Sequence, residues 1–342
     1  MGRAARAATR RATGSGLNML AARIAFGGAA VVATAAAATL APLWTYALSL
    51  ALFGLPHVLT GLRYVDQRFG ARLPRTTVRW LALGLLGIVL LRLLSLGDLG
   101  TAPVRAISEL LVGGALVAFA LPLLLPRGGS PIAITLVACL VVGALCAPIA
   151  TLVILALLHN LTPVGFLAER VRGAQRRRAL LACAIVFGVV PLLIVGGAFG
   201  GLFDALALHA TDSGPFTSGE LDLHLPAFVP PALLTSPFAI DLFAAAAYLQ
   251  CMHYAVVLHV LPKLSGGAEA PGAVIGWPRP AVFAVVVALA GITFTVSFAD
   301  DFAGTRSVYA VFAALHAWLE LPILALACGL PPQNTTAPGF AR

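Results

Sequence analysis

The feature that most constrains this chain is a run of about twenty apolar residues that recurs again and again from Ile24 to Cys328. Each run is long enough to cross a hydrocarbon core of about 30 Å as a helix. In that medium only helices or closed barrels satisfy their own backbone hydrogen bonds. Unbroken apolar runs, without strict alternation, select the helix. The expected fold is all-α: a polytopic transmembrane helix bundle of about ten helices, within a range of eight to ten. Of 342 residues only 10% are charged and 60% are hydrophobic, whereas a soluble domain carries about 25% charged residues.

Apolar runs place helices at 24–40, 43–65, 78–97, 104–125, 131–146, 148–168, 179–200, 237–262, 280–299 and 307–329. Pro42 and Pro148 are ambiguous, because each could kink one long segment or separate two. A flexible basic N-terminus (1–18) precedes one transmembrane domain (19–330), and a flexible C-terminus (331–342) follows it. The basic flank and Ala-rich end of the first run resemble a signal peptide. An uncleaved helix is expected, since the next run begins at Leu43 almost without a linker. The five cysteines are odd in number and lie in apolar segments, as small packing residues do.

The formal charge of +9 does not imply a nucleic-acid partner, because the basic residues sit in short clusters between apolar runs. With ten helices, one side receives Arg3, Arg6, Arg10, Arg11, Arg68, Arg72, Arg75, Arg127, Arg170, Arg172, Arg176–Arg178, Lys263 and Arg342. The other receives Asp98, Asp204, Asp212, Glu220, Asp222, Asp300 and Asp301. That asymmetry is the positive-inside pattern. It predicts a multi-pass protein of a bacterial-type inner membrane with both termini cytoplasmic and the lipid bilayer as its partner. The longest connection, 201–236, falls outside; its apolar patches (LHLPAFVPPALL) suit a surface segment or a cap over the bundle.

Five histidines fall within the apolar runs: His57, His159, His253, His259 and His316. Ionisable groups are costly in lipid and face a partner, the bundle interior or a substrate path. His57, His159, His253 and Glu320 each precede the inner end of their helix by about nine residues, or ~13 Å. His316 lies one turn higher, at i−4 from Glu320, so both project from one helix face. The candidate metal ligands are therefore His57, His159, His253, His316 and Glu320. His259, six residues from His253, joins them only if the helix unwinds before Pro262. Pro and Gly in GLPHVLTG, and the residues after His159, are expected to loosen the backbone around the site. Trp318, Gln250 and Asn160 are candidate substrate-pocket residues, and Arg92 with Glu109 a candidate structural pair. His209 and His224 read as ordinary surface residues.

Imidazoles with one carboxylate suit Fe(II), and zinc or copper also fit that donor set. An iron centre with open positions beside an apolar pocket points to an oxidoreductase: an oxygenase acting on a lipophilic isoprenoid or lipid substrate. A transporter or ion-translocating protein is the alternative, supported by Pro- and Gly-interrupted helices near 56, 148 and 262. A third reading is a non-catalytic membrane scaffold whose histidines only pack.

The windows GLPHVLTGLRYVD, MHYAVVLH and LHAWLE resemble the Brp/Blh-type membrane carotene dioxygenases. Those multi-helix proteins hold iron through histidines on several helices and cleave β-carotene to retinal. The resemblance implies that His57 matches the family's early Pro-His motif, His159 its mid-chain histidine, and His253 with His259 its later pair. Two features depart from the family: its later pair is one turn apart, and a Gly follows its early His.

Reporter fusions after residues 70, 175 and 270 are expected to report cytoplasm, and one near 220 the opposite side. A cytoplasmic signal at 220 would refute the topology.

Overall fold

The computed structural model describes residue 22 and residues 25–120, 130–264 and 273–329. It is all-α, and eight of its helical segments, with α6 and α7 taken as one, are long and apolar enough to span a membrane. In chain order the helices are α1 (Ala25–Leu40), α2 (Pro42–Phe69), α3 (Arg75–Leu96), α4 (Ala102–Ala118), α5 (Ser130–Cys146) and α6 (Pro148–His159). There follow α7 (Thr162–Arg170), α8 (Gly173–Val195), α9 (Ala198–Ala205), α10 (Ala239–Leu264), α11 (Pro280–Asp300) and α12 (Phe302–Gly329). Residues 1–18 and 331–342, and the expected helix end at 121–125, lie outside the described residues.

Both ambiguous prolines mark divisions. Ala41 and Ala147 leave helical geometry, with φ of −142° and −155°, and the proline after each opens a new helix, where its missing N–H costs nothing. Several expected boundaries shift. The segment 148–168 is one span, Pro148–Arg170, with a two-residue turn at Asn160–Leu161 between α6 and α7. The segment 179–200 begins earlier, at Gly173, and ends at Val195. The final helix begins at Phe302 rather than 307.

The central helices are α2, α10 and α12, with α11 against α2. α8 covers α10, and α4, α5 and α6 pack together at one side. α7 is tied inward by the Arg68–Glu169 ion pair to α2 (2.6 Å) and by Arg170, which donates to the Leu264 carbonyl of α10 (2.6 Å). Arg92 of α3 meets Glu109 of α4 at 2.7 Å, the expected pair.

Two helices widen into a π turn two residues before a proline, at Ile185–Val189 before Pro191 and at Val256–Val260 before Pro262. A proline ring would strike the carbonyl four residues back, and a turn with one extra residue relieves the crowding. In α8 the carbonyl that Pro191 cannot serve in the wider register, that of Val186, accepts instead from the Tyr248 hydroxyl at 3.0 Å. Pro56, by contrast, sits inside an uninterrupted α2. The loosening expected around it does not occur. Helix α11 presses on that position through Gly291, where a Cβ would lie 3.1 Å from the Pro56 ring and 3.2 Å from the freed Leu52 carbonyl.

The 201–236 segment is a cap. Its first residues belong to α9, and three short 3-10 turns follow at Leu221–Leu223, Leu225–Ala227 and Pro231–Leu233. Leu221, Phe228 and Val229 are buried with Tyr46, Phe243 and Phe302, so the apolar patch closes one end of the bundle. His224 was expected at the surface and is instead buried, with its ring against Tyr46 and Phe302. Its Nε2 donates to the Ser218 carbonyl (2.7 Å), and its Nδ1 accepts from Arg306 Nη1 (2.9 Å). His209 is exposed, as expected.

Burial holds the His224 imidazole below its ordinary pKa of 6.5; Arg306 adds to the lowering, while the Ser218 hydrogen bond and Asp222 oppose it. The unfolded chain then takes up the proton more readily, so the cap is fully stable at neutral pH and loses stability as pH falls below that ordinary value. Hydrogen exchange across 213–229, corrected for intrinsic rate, is expected to accelerate between pH 7.5 and pH 5. His224→Gln should remove most of that dependence; an unchanged profile would refute the assignment.

Candidate metal centre

Four helices each deliver one imidazole to the middle of the bundle: His57 from α2, His159 from the end of α6, His253 from α10 and His316 from α12. One ring nitrogen from each lies within 4.8 Å of the others, so the four are positioned to chelate a metal ion. Neighbouring ring centroids are 4.8–5.2 Å apart, with His253 and His316 facing each other at 6.3 Å. The layer separates two apolar clusters. Leu50, Val58, Phe243 and Tyr309 lie on the capped side, and Tyr64, Val257, Trp318 and Ile323 on the arginine-rich side.

The donors fit a cation for a physical reason. His253 and His316 are fully buried, and among the described residues neither ring nitrogen of either has a hydrogen-bond partner; buried Nδ1 of His159 also lacks one. A buried polar group left unsatisfied costs about 1–3 kcal/mol, and coordination would offset that cost at several positions together. His57 is oriented differently: its Nδ1 lies 3.2 Å from the Phe53 carbonyl. That oxygen can only accept, so Nδ1 carries the hydrogen and Nε2 presents its lone pair inward. The Tyr254 ring stacks on His57 at 4.1 Å, with 28° between the planes, and fixes its plane.

Glu320, one turn after His316, is 1% exposed. Its oxygens lie 3.4 Å from His159 Nδ1 and 3.4 Å from His316 Nε2. Thr162, at the start of α7, donates to Oε2 at 2.5 Å. The carboxylate therefore adjoins two of the imidazoles and is anchored across the α6–α7 break. There it can ligate, or hold ring tautomers.

His259 does not join the cluster. The π turn widens the helix without unwinding it, so His259 stays off the His253 face, exposed, beside a separate cavity of about 730 Å³ lined by Pro56, Pro262 and Phe283. A second cavity, of about 550 Å³, opens from the centre itself; His57, His159 and His253 line it, as do Trp318, Gln250 and Asn160. Gln250 donates to Ser49 Oγ (2.8 Å), and Asn160 to the Ala156 carbonyl (3.1 Å). The Trp318 indole donates to Glu109 (2.9 Å), joining the Arg92–Glu109 pair to the cavity wall.

Sequence reasoning missed Gly61, Thr162 and Tyr254. A Cβ at Gly61 would overlap the His316 ring, so this glycine is what lets α12 seat its ligand against the α2 backbone. Gly113 does the same for Trp318. No family model, characterised protein or solved structure matches the chain.

Elemental analysis of protein purified in mild detergent is expected to find about one transition-metal ion per chain, given one four-histidine set among the described residues. His57→Ala, His253→Ala and His316→Ala should each lose most of it, while helical circular dichroism persists. Gly61→Leu, which changes no donor, should lower metal content as well. Full retention in Gly61→Leu would refute the role given to that close approach.

Proposed function

We propose that the protein is a membrane metalloenzyme: an iron-dependent oxygenase acting on a lipophilic isoprenoid or lipid substrate. The observation that carries this reading is that three of the four clustered histidines, His57, His159 and His253, line a cavity of about 550 Å³. A purely structural ion has no need of such a space. His57, His159, His253 and His316 would hold the metal, with Glu320 as a further ligand or as the group that orients His159 and His316. Bound iron would supply dioxygen activation. The chain's own part is to bind and to exclude water. Ala313, Ala314, Leu152 and Phe228 offer an apolar wall, and Tyr254 keeps His57 turned toward the centre.

The donor set also admits zinc or copper; iron is chosen because the cavity provides room for a second substrate beside oxygen. The resemblance to Brp/Blh-type carotene dioxygenases points the same way, toward oxidative cleavage of an isoprenoid. The ion-translocation alternative draws on the helix break after His159, beside Glu320.

Anaerobic loading with Fe(II), followed by oxygen uptake in the presence of β-carotene or a long-chain lipid, tests the proposal. Substrate-dependent uptake that falls at least tenfold in His253→Ala is expected. Failure to bind any transition metal after reconstitution would defeat the oxygenase and the family reading together. Glu320-dependent cation flux in metal-free proteoliposomes would favour the alternative.

A further inference from the structure

The cavity beside the histidines has a second end, and its chemistry is different. From the imidazoles it runs along α12 toward the cap, where Arg306, Leu223 and Phe228 line it. Its α12 wall includes Ala310, Ala313, Ala314 and Ala317, between the larger Tyr309 and Trp318. That i, i+3, i+4, i+7 spacing puts four small side chains on one helix face, which leaves room there for an apolar chain. Ile149 and Leu223, 39% and 66% exposed, stand at the cavity's rim, so it opens sideways.

Arg306 is half-buried at that far end, one turn into α12. It donates to His224 Nδ1, the lone-pair nitrogen of a neutral imidazole whose Nε2 hydrogen is committed to Ser218, and it also meets the Tyr46 hydroxyl. Among the described residues no carboxylate lies within ion-pair distance of Arg306. Arg92 lines the same cavity, but Glu109 already neutralises it. The cavity therefore ends in a positioned guanidinium with no counter-ion, at the depth where a helix leaves the hydrocarbon. A guanidinium fork recognises carboxylate or phosphate oxygens. Arg306 and His316 are ten residues apart on one continuous helix, or about 15 Å along its axis.

We propose that this cavity binds an anionic amphiphile, its carboxylate or phosphate head on Arg306 and its apolar chain laid along the alanine face to the histidine layer. The carbon presented to the centre is then about 15 Å from the head group, so Arg306 sets the position of attack along the chain. The site of attack rests on the oxygenase reading; the binding does not.

Binding of radiolabelled oleate to the full chain in detergent tests this, with competition by oleate, dioleoyl phosphatidate and methyl oleate. Oleate, phosphatidate or both should compete at least about tenfold better than methyl oleate, as a desolvated charge-assisted contact implies. Which anion wins distinguishes a carboxylate from a phosphate source. Arg306→Gln should bring the three to within about twofold of one another, and Arg306→Lys should keep most of the preference. Ala313→Phe should weaken all three. The preference is a ratio within one preparation, so partial unfolding does not imitate its loss. Absence of oleate binding, equal competition by methyl oleate, or a preference that survives Arg306→Gln would overturn the proposal. Metal content of the same preparations reports separately. A chain that prefers oleate but takes up no metal overturns the oxygenase and spares the head-group site; a metal-loaded chain without the preference does the reverse.

Discussion

Imidazole nitrogens without hydrogen-bond partners, packed in the middle of an apolar bundle, are the condition around which the rest of the protein is arranged. Lipid cannot solvate them, and the helices that carry them have already spent their backbone groups on one another. Two ways exist to relieve such a group: supply a protein partner, or supply an ion. The chain does the first for His57, through the Phe53 carbonyl, and for Glu320, through Thr162. For the ring nitrogens of His253 and His316 the described residues supply no hydrogen bond. Their burial makes physical sense as a donor set held ready.

Bringing four rings so close needs close helices, and the small residues lie where the rings press hardest. Gly61 accepts the His316 ring and Gly113 the Trp318 indole. These are contacts between an aromatic face and bare backbone, in which dispersion across a dry interface takes the place of a hydrophobic driving force. The prolines work on a different problem. Pro191 and Pro262 each follow a π turn, so each helix continues past a residue that would otherwise break it.

The membrane-spanning class was legible because the bilayer imposes one length and one polarity on every helix. The four histidines were legible because an ionisable side chain in such a run is conspicuous, and depth along a helix can be counted in residues. What could not be counted was contact between distant segments. Gly61 looks like any other membrane glycine until His316 is placed against it, 255 positions later in the chain. His224 looked like a loop residue because a 36-residue connection reads as surface; its burial follows from Leu221, Phe228 and Val229 folding onto Tyr46 and Phe302. His259 was open to either outcome, since helical angle alone could not decide whether Pro262 would unwind the turn or widen it.

The ligands are not equivalent mechanically. His57, His253 and His316 stand within the three central helices, of which α2 packs against both α10 and α12. His159 is the last residue of α6, beside the two-residue turn, on a helix whose neighbours are α4 and α5 at the side of the bundle. A donor at the joint between two rods meets a softer restoring force than one in the middle of a rod. Three donors set within long helices and one at a helix end would let a bound ion's size be met by moving the single residue at that end, His159.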